Sequence, residues 1–114
     1  MKKRAEVKER EERLLRDIYT RLENLDPTEY YLELEADLDP LEKGLVVQTR
    51  NVIKIFLDTR NIRAAQNHME IITGLTNFGP INETIKKAVS QASGIFHIIG
   101  YRESCKNKIK KEVL

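Results

Sequence analysis

The stretch PINETIKKAVSQASGIFHIIGYRESCKNKIKK, residues 80–111, decides the fold. Within it Ile81, Ile85, Ala88, Ala92, Ile95 and Ile99 recur at spacings of four, three, four, three and four, the repeat of one helix face. An apolar face of that length has to be covered by other helices. At about 1.5 Å per residue the segment would run for roughly 45 Å, more than a domain of this size is wide. Its ends are therefore expected to project or to meet another chain.

Just before it, Thr76-Asn77-Phe78-Gly79-Pro80 breaks the pattern with glycine and proline. Upstream of that break, Ile62, Ala65, Met69, Ile72 and Leu75 define a helix over 62–76. Asp58-Thr59-Arg60-Asn61 reads as a turn, with Asn61 able to end one helix or cap the next. Residues 40–58 carry a wide apolar face: Leu41, Leu45, Val52, Ile55 and Phe56, with Val46, Ile53 and Leu57 adjoining. This predicts the most buried helix.

Asp39-Pro40-Leu41-Glu42 has the residues of a helix start: an acceptor at the N-cap, proline at the first position and glutamate at the third. Asp26-Pro27-Thr28-Glu29 repeats the device, and 27–38 between the two reads as a short connecting helix. The residues downstream of the two starts do not match, so they are capping sites and not a duplication. Residues 2–25 are good helix formers, with Glu6–Arg10, Glu9–Arg13, Glu12–Arg16 and Asp17–Arg21 in the favourable acid-first order. Their apolar seam begins only at Leu14 and continues through Leu15, Ile18, Leu22 and Leu25. Residues 1–13 then form a solvated helical extension or lie on a partner.

The expectation is a single all-α domain over 1–114: a bundle of four to five helices with long terminal helices, acting as a homodimer. In 114 residues, 33% are charged and the mean hydropathy is −0.50, yet the apolar residues fall in periodic clusters, the mark of a folded and highly solvated chain. The apolar runs are too short to cross a membrane, and the start MKKRAEVKEREER lacks the apolar core of a signal peptide. One cysteine, Cys105, leaves no internal disulfide and suits a cytoplasmic location. Charge is segregated. Residues 1–16 carry seven basic and four acidic groups, residues 17–44 two and nine, and residues 102–114 five and two. Basic ends flanking an acidic middle suit contact with a polyanion, or with the acidic segment of the same or a neighbouring chain.

Few residues suggest chemistry. Asn61, Ile62, Ala65, Met69 and Ile72 stand where a tetratricopeptide unit keeps its signature, so residues 41–75 faintly resemble one such unit. A generic antiparallel pair explains the same residues, and only one unit is visible where an array needs several. Arg63, four residues and His68 resemble the arginine–histidine signature of the HEPN ribonucleases, although Ala64 stands where that family has a polar residue. The resemblance implies a dimeric helical nuclease in which Arg63 would steady phosphate charge and His68 move a proton. The ordinary reading makes His68 a polar-face residue and His97 a hydrogen-bonded one at a packing seam.

No ligand spacing for a metal occurs, and no cofactor is expected. Gly94 and Gly100 each cost a helix interior about 1 kcal/mol and ask for compensation, either a kink or close approach of another helix. Ala88, Ala92, Gly94, Ile95 and Ile99 are therefore the expected oligomer interface. The functional expectation is a non-catalytic protein–protein interaction or scaffold module. The alternatives are a nucleic-acid accessory protein using Lys2, Lys3, Arg4, Lys106, Lys108, Lys110 and Lys111, and the HEPN-like ribonuclease.

Overall fold

Four amphipathic segments joined by turn residues can bury their stripes only against one another. In the computed structural model, residues 2–25 and 38–113 are described, with side chains over 6–25 and 38–106. They form α1 (Lys2–Glu23), α2 (Pro40–Thr59), α3 (Ile62–Leu75), a 3-10 turn at Thr76–Phe78, and α4 (Glu83–Val113), with no strand among the described residues. The expected helix 27–38 lies outside the described residues except for Leu38, which is buried.

Pairwise contacts give the topology. Arg21 on α1 meets Gln91 on α4, and Glu11 meets Arg102, so these helices run antiparallel. Tyr19 and Glu23 meet Arg50, while Glu12 meets Arg60 at the end of α2, making α1 and α2 antiparallel as well. Across the diagonal, Glu42 bonds Asn82 and Phe56 stacks edge-on to Phe96 with centroids 5.1 Å apart; α2 and α4 are parallel. The result is an up-down-up-down bundle, 57 × 29 × 20 Å. The N-terminal turns of α1 and the C-terminal turns of α4 run on past the α2–α3 turn.

Leu15, Ile18 and Leu22 from α1, Leu45, Val46, Val52, Ile53 and Phe56 from α2, Ala65, Met69 and Ile72 from α3, and Ile85, Val89, Phe96 and Ile99 from α4 fill the core. Ala88 and Ala92, each 0% exposed, lie in the same core. Ala88, Ala92 and Ile99, expected at an oligomer interface, are thus interior to a single chain, and Ile95 is half-buried against that core. The apolar face of α4 is covered by α1, α2 and α3 of the same chain. Leu14 and Ile55, expected inside, are 44% and 53% exposed, because a helix buries one stripe and its edge residues turn outward.

The caps agree with the sequence. Asp39 accepts from Glu42 N at 2.8 Å and Glu42 accepts from Asp39 N at 3.2 Å, a closed capping box with Pro40 in the first turn. The other oxygen of Glu42 accepts from Asn82 N at 2.7 Å, so one carboxylate orders the starts of α2 and α4. Asn61 caps α3 through Ala64 N. The expected start of α4 at Pro80 moves to Glu83, since Asn82 accepts from Thr84 N at 2.8 Å and Ile81 is drawn onto the core.

Candidate functional site

Positions 8, 11, 12 and 15 share one face of α1, and 99, 102, 103 and 106 share one face of α4. The antiparallel pairing sets these faces beside Phe56, Arg60 and Ile62, enclosing a cleft of about 440 Å³. Leu15, Phe56, Ile62 and Ile99 supply its apolar lining, and Lys8, Glu11, Glu12, Arg60, Arg102, Glu103 and Lys106 its charge.

Two ion pairs cross it. Arg102 donates through Nη1 to Glu11 Oε2 at 2.6 Å and through Nη2 to Oε1 at 2.7 Å, a bidentate pair on a carboxylate whose residue is only 9% exposed. Hydrogen bonding to Glu11 raises the Arg102 pKa above its ordinary value, the charge attraction of Glu11 adds to this, and burial opposes it. Arg60 donates to Glu12 and lies over the Phe56 ring at 5.7 Å. Its backbone is left-handed, with φ at 59°, where helix ends usually place glycine or asparagine. The side-chain contacts offset a conformational cost of about 1 kcal/mol or more.

These guanidinium–carboxylate pairs clamp α1 to the far ends of α2 and α4. They bring no nucleophile beside a base, and among the described residues no group of three or more histidine, cysteine or acidic side chains could hold a metal ion. Cys105 lies on the cleft wall. Its hydrogen bond with Tyr101 raises the phenol pKa, with a smaller charge effect from the same thiol.

A second, shallower groove of about 410 Å³ separates α3 from α4 and is lined by Gln66, Asn67, Met69, Glu70, Thr73, Ser93, Phe96 and His97. Gln66 crosses it to donate to the Phe96 carbonyl at 3.1 Å, lying directly against Gly100. A methyl group at Gly100 would sit 1.9 Å from Gln66 Nε2. The compensation for this glycine is therefore a side-chain crossing, whereas Gly94 has nothing within 4 Å of where a Cβ would be.

The residues proposed from sequence are dispersed. Arg63 is exposed and His68 half-buried on α3, and neither lines either of these two clefts. Five positions apart on a continuous helix, they point roughly 140° from each other. His97 is exposed in the shallow groove. Of the five interface candidates only Gly94 faces outward; Ile98 and Tyr101, one and two turns on, are 62% and 75% exposed. Lys106 lies on the cleft with Lys8, while Lys2, Lys3, Arg4, Lys108, Lys110 and Lys111 occupy the projecting turns of α1 and α4, outside the residues whose side chains are described.

Sequence reasoning missed Glu11, Arg60, Gln66 and Arg102. A signal existed for two of them: Glu11 continues the stripe of Leu15, Ile18 and Leu22, and Arg102 that of Ile95 and Ile99. A charge on an apolar face asks for a partner. No protein-family model, curated protein or solved structure matches this chain.

Proposed function

We propose that this chain is a non-catalytic helical interaction module that works as a homodimer, meeting its second copy through the outer face of α4. The observation that carries the reading is the exposed set Lys87, Gly94, Ile98 and Tyr101 on α4, spaced seven, four and three along one side of the helix. That spacing is the seam along which two helices pair, and its C-terminal half is apolar and exposed. Gly94 leaves room for the backbone of a second helix. A two-fold axis across this face would bring Ile98 and Tyr101 of both copies together, the simplest closed assembly.

Light scattering after size exclusion, across micromolar concentrations, tests the reading. A dimer that Ile98→Lys combined with Tyr101→Lys converts to a monomer, with helical circular dichroism unchanged, supports it. A strict monomer at every concentration overturns it, as does a dimer indifferent to the double substitution.

A further inference from the structure

Two rungs fix how α1 lies against α4: Arg21 beside Gln91 and Glu11 beside Arg102. In each rung the two residue numbers add to within one of 113. Continued along two unbroken helices, this register sets residues 2–4 alongside residues 109–111. Lys2, Lys3 and Arg4 thus share one pole of the bundle with Lys108, Lys110 and Lys111. Beyond the Glu11–Arg102 pair, residues 2–10 carry five basic and two acidic groups and residues 103–113 four and two, a net charge of +5 on a chain whose total is +2. The acidic groups Glu23, Asp39 and Glu42 lie toward the opposite pole, Asp39 and Glu42 being held there at the start of α2. Among the residues with described side chains, these acids are held away from the basic end.

We infer that this basic pole binds the phosphodiester backbone of a nucleic-acid duplex, without sequence preference. Lysines and arginines distributed over two adjacent helix ends neutralise phosphates and release counterions, the interaction that governs non-specific binding. With 6% aromatic residues and no tryptophan, the chain offers little for stacking unpaired bases, so a duplex is favoured over a single strand. The site uses the helix ends and not the outer face of α4, and it stands or falls independently of self-association.

The test is fluorescence anisotropy with labelled duplex DNA and duplex RNA, separately, from about 50 to about 200 mM salt. Six phosphate contacts predict a slope of log affinity against log salt near −5 for DNA, an affinity loss on the order of a thousandfold over that range. Lys2→Gln with Lys3→Gln and Arg4→Gln should bring the slope to about −3 and that loss to about fortyfold. Lys108→Gln with Lys110→Gln and Lys111→Gln should do the same, because the pole is built from both ends. Circular dichroism confirms that each variant keeps its helices. Binding to either duplex with slopes reduced in both triple variants upholds the inference, and the two arms report which backbone is preferred. No binding at the lowest salt, or slopes that neither variant changes, overturns it. A salt-sensitive self-association that both triple variants abolish, without duplex binding, also overturns it and assigns the pole to the acidic end of a second copy.

Discussion

Alanine at the two glycines of α4 should give opposite lessons from the same chemical change. A helix-interior glycine is about 0.8–1 kcal/mol worse than alanine, chiefly through backbone entropy. At Gly94 a new methyl meets nothing within 4 Å in the single chain, so in the monomer Gly94→Ala should collect that gain in full, about 1 kcal/mol or roughly 4 °C in Tm. At Gly100 the same methyl would lie 1.9 Å from Gln66 Nε2 and 2.8 Å from its Cδ. Gln66 must swing out and forfeit its bond to the Phe96 carbonyl, worth about 0.5–1.5 kcal/mol. Gly100→Ala should therefore be nearly neutral. Removing the obstruction restores the benefit: in a Gln66→Ala background, Gly100→Ala should again stabilise by about 1 kcal/mol, a coupling of similar size between the two positions. Urea unfolding followed by circular dichroism reads all five proteins, at two concentrations so that mass action from association is separated. A destabilising Gly94→Ala at both concentrations, or a Gly100→Ala gain equal to that at Gly94 with Gln66 present, would refute the reasoning.

Three further outcomes rest on buried or paired polar groups. Thr49 is 0% exposed and its hydroxyl has no hydrogen-bond partner among the described residues, so Thr49→Val should raise stability by about 1 kcal/mol; a loss of stability in urea melts would mean that the hydroxyl is satisfied. Arg102→Met strips both hydrogen bonds from the Glu11 carboxylate and should cost about 1–2 kcal/mol, below the usual figure for a buried pair because the Arg102 side chain is 39% exposed. Adding Glu11→Leu should recover part of it, and a double-mutant cycle with no coupling would dismiss the clamp. Tyr101 holds its proton to higher pH than an ordinary tyrosine because of Cys105, so any stability it contributes is complete below the ordinary phenol pKa and lost as pH rises through the raised one. Ultraviolet titration of the phenols should show one late-titrating tyrosine that Cys105→Ala returns toward the ordinary value; an unchanged titration curve would remove the contact.

The helices and their caps were legible because their signals are local. Asp39-Pro40-Leu41-Glu42 and Asn61 each specify a helix start within a few residues, and the isoleucine repeat from Ile81 to Ile99 marks the buried stripe of α4. Sequence could not say what covers that stripe. Periodicity states that Ala88 and Ala92 face something apolar, whether a helix of the same chain or of another, and α1 to α3 cover it here. The candidate cleft was invisible for a related reason: Glu11 and Arg102 stand 91 positions apart, and their meeting depends on the antiparallel register of two helices. Gly100 is a like case, since its neighbours in sequence do not point to Gln66, which meets it only through the packing of α3 on α4. The fate of the second capping motif, at 26–29, lies outside the described residues.

Everything assigned to the cleft and to the basic pole depends on α1 running antiparallel along α4 to its end. Cys105 is the only cysteine, so Lys8→Cys adds a single second attachment point on the same cleft. Double electron–electron resonance between spin labels at these positions, with labelled protein diluted in unlabelled protein, measures the pairing within one chain. With helix axes 8–10 Å apart, the labels should lie less than roughly 25 Å from each other in one narrow distribution. A separation beyond roughly 40 Å, most of the length of α4, would contradict the pairing and the site built on it.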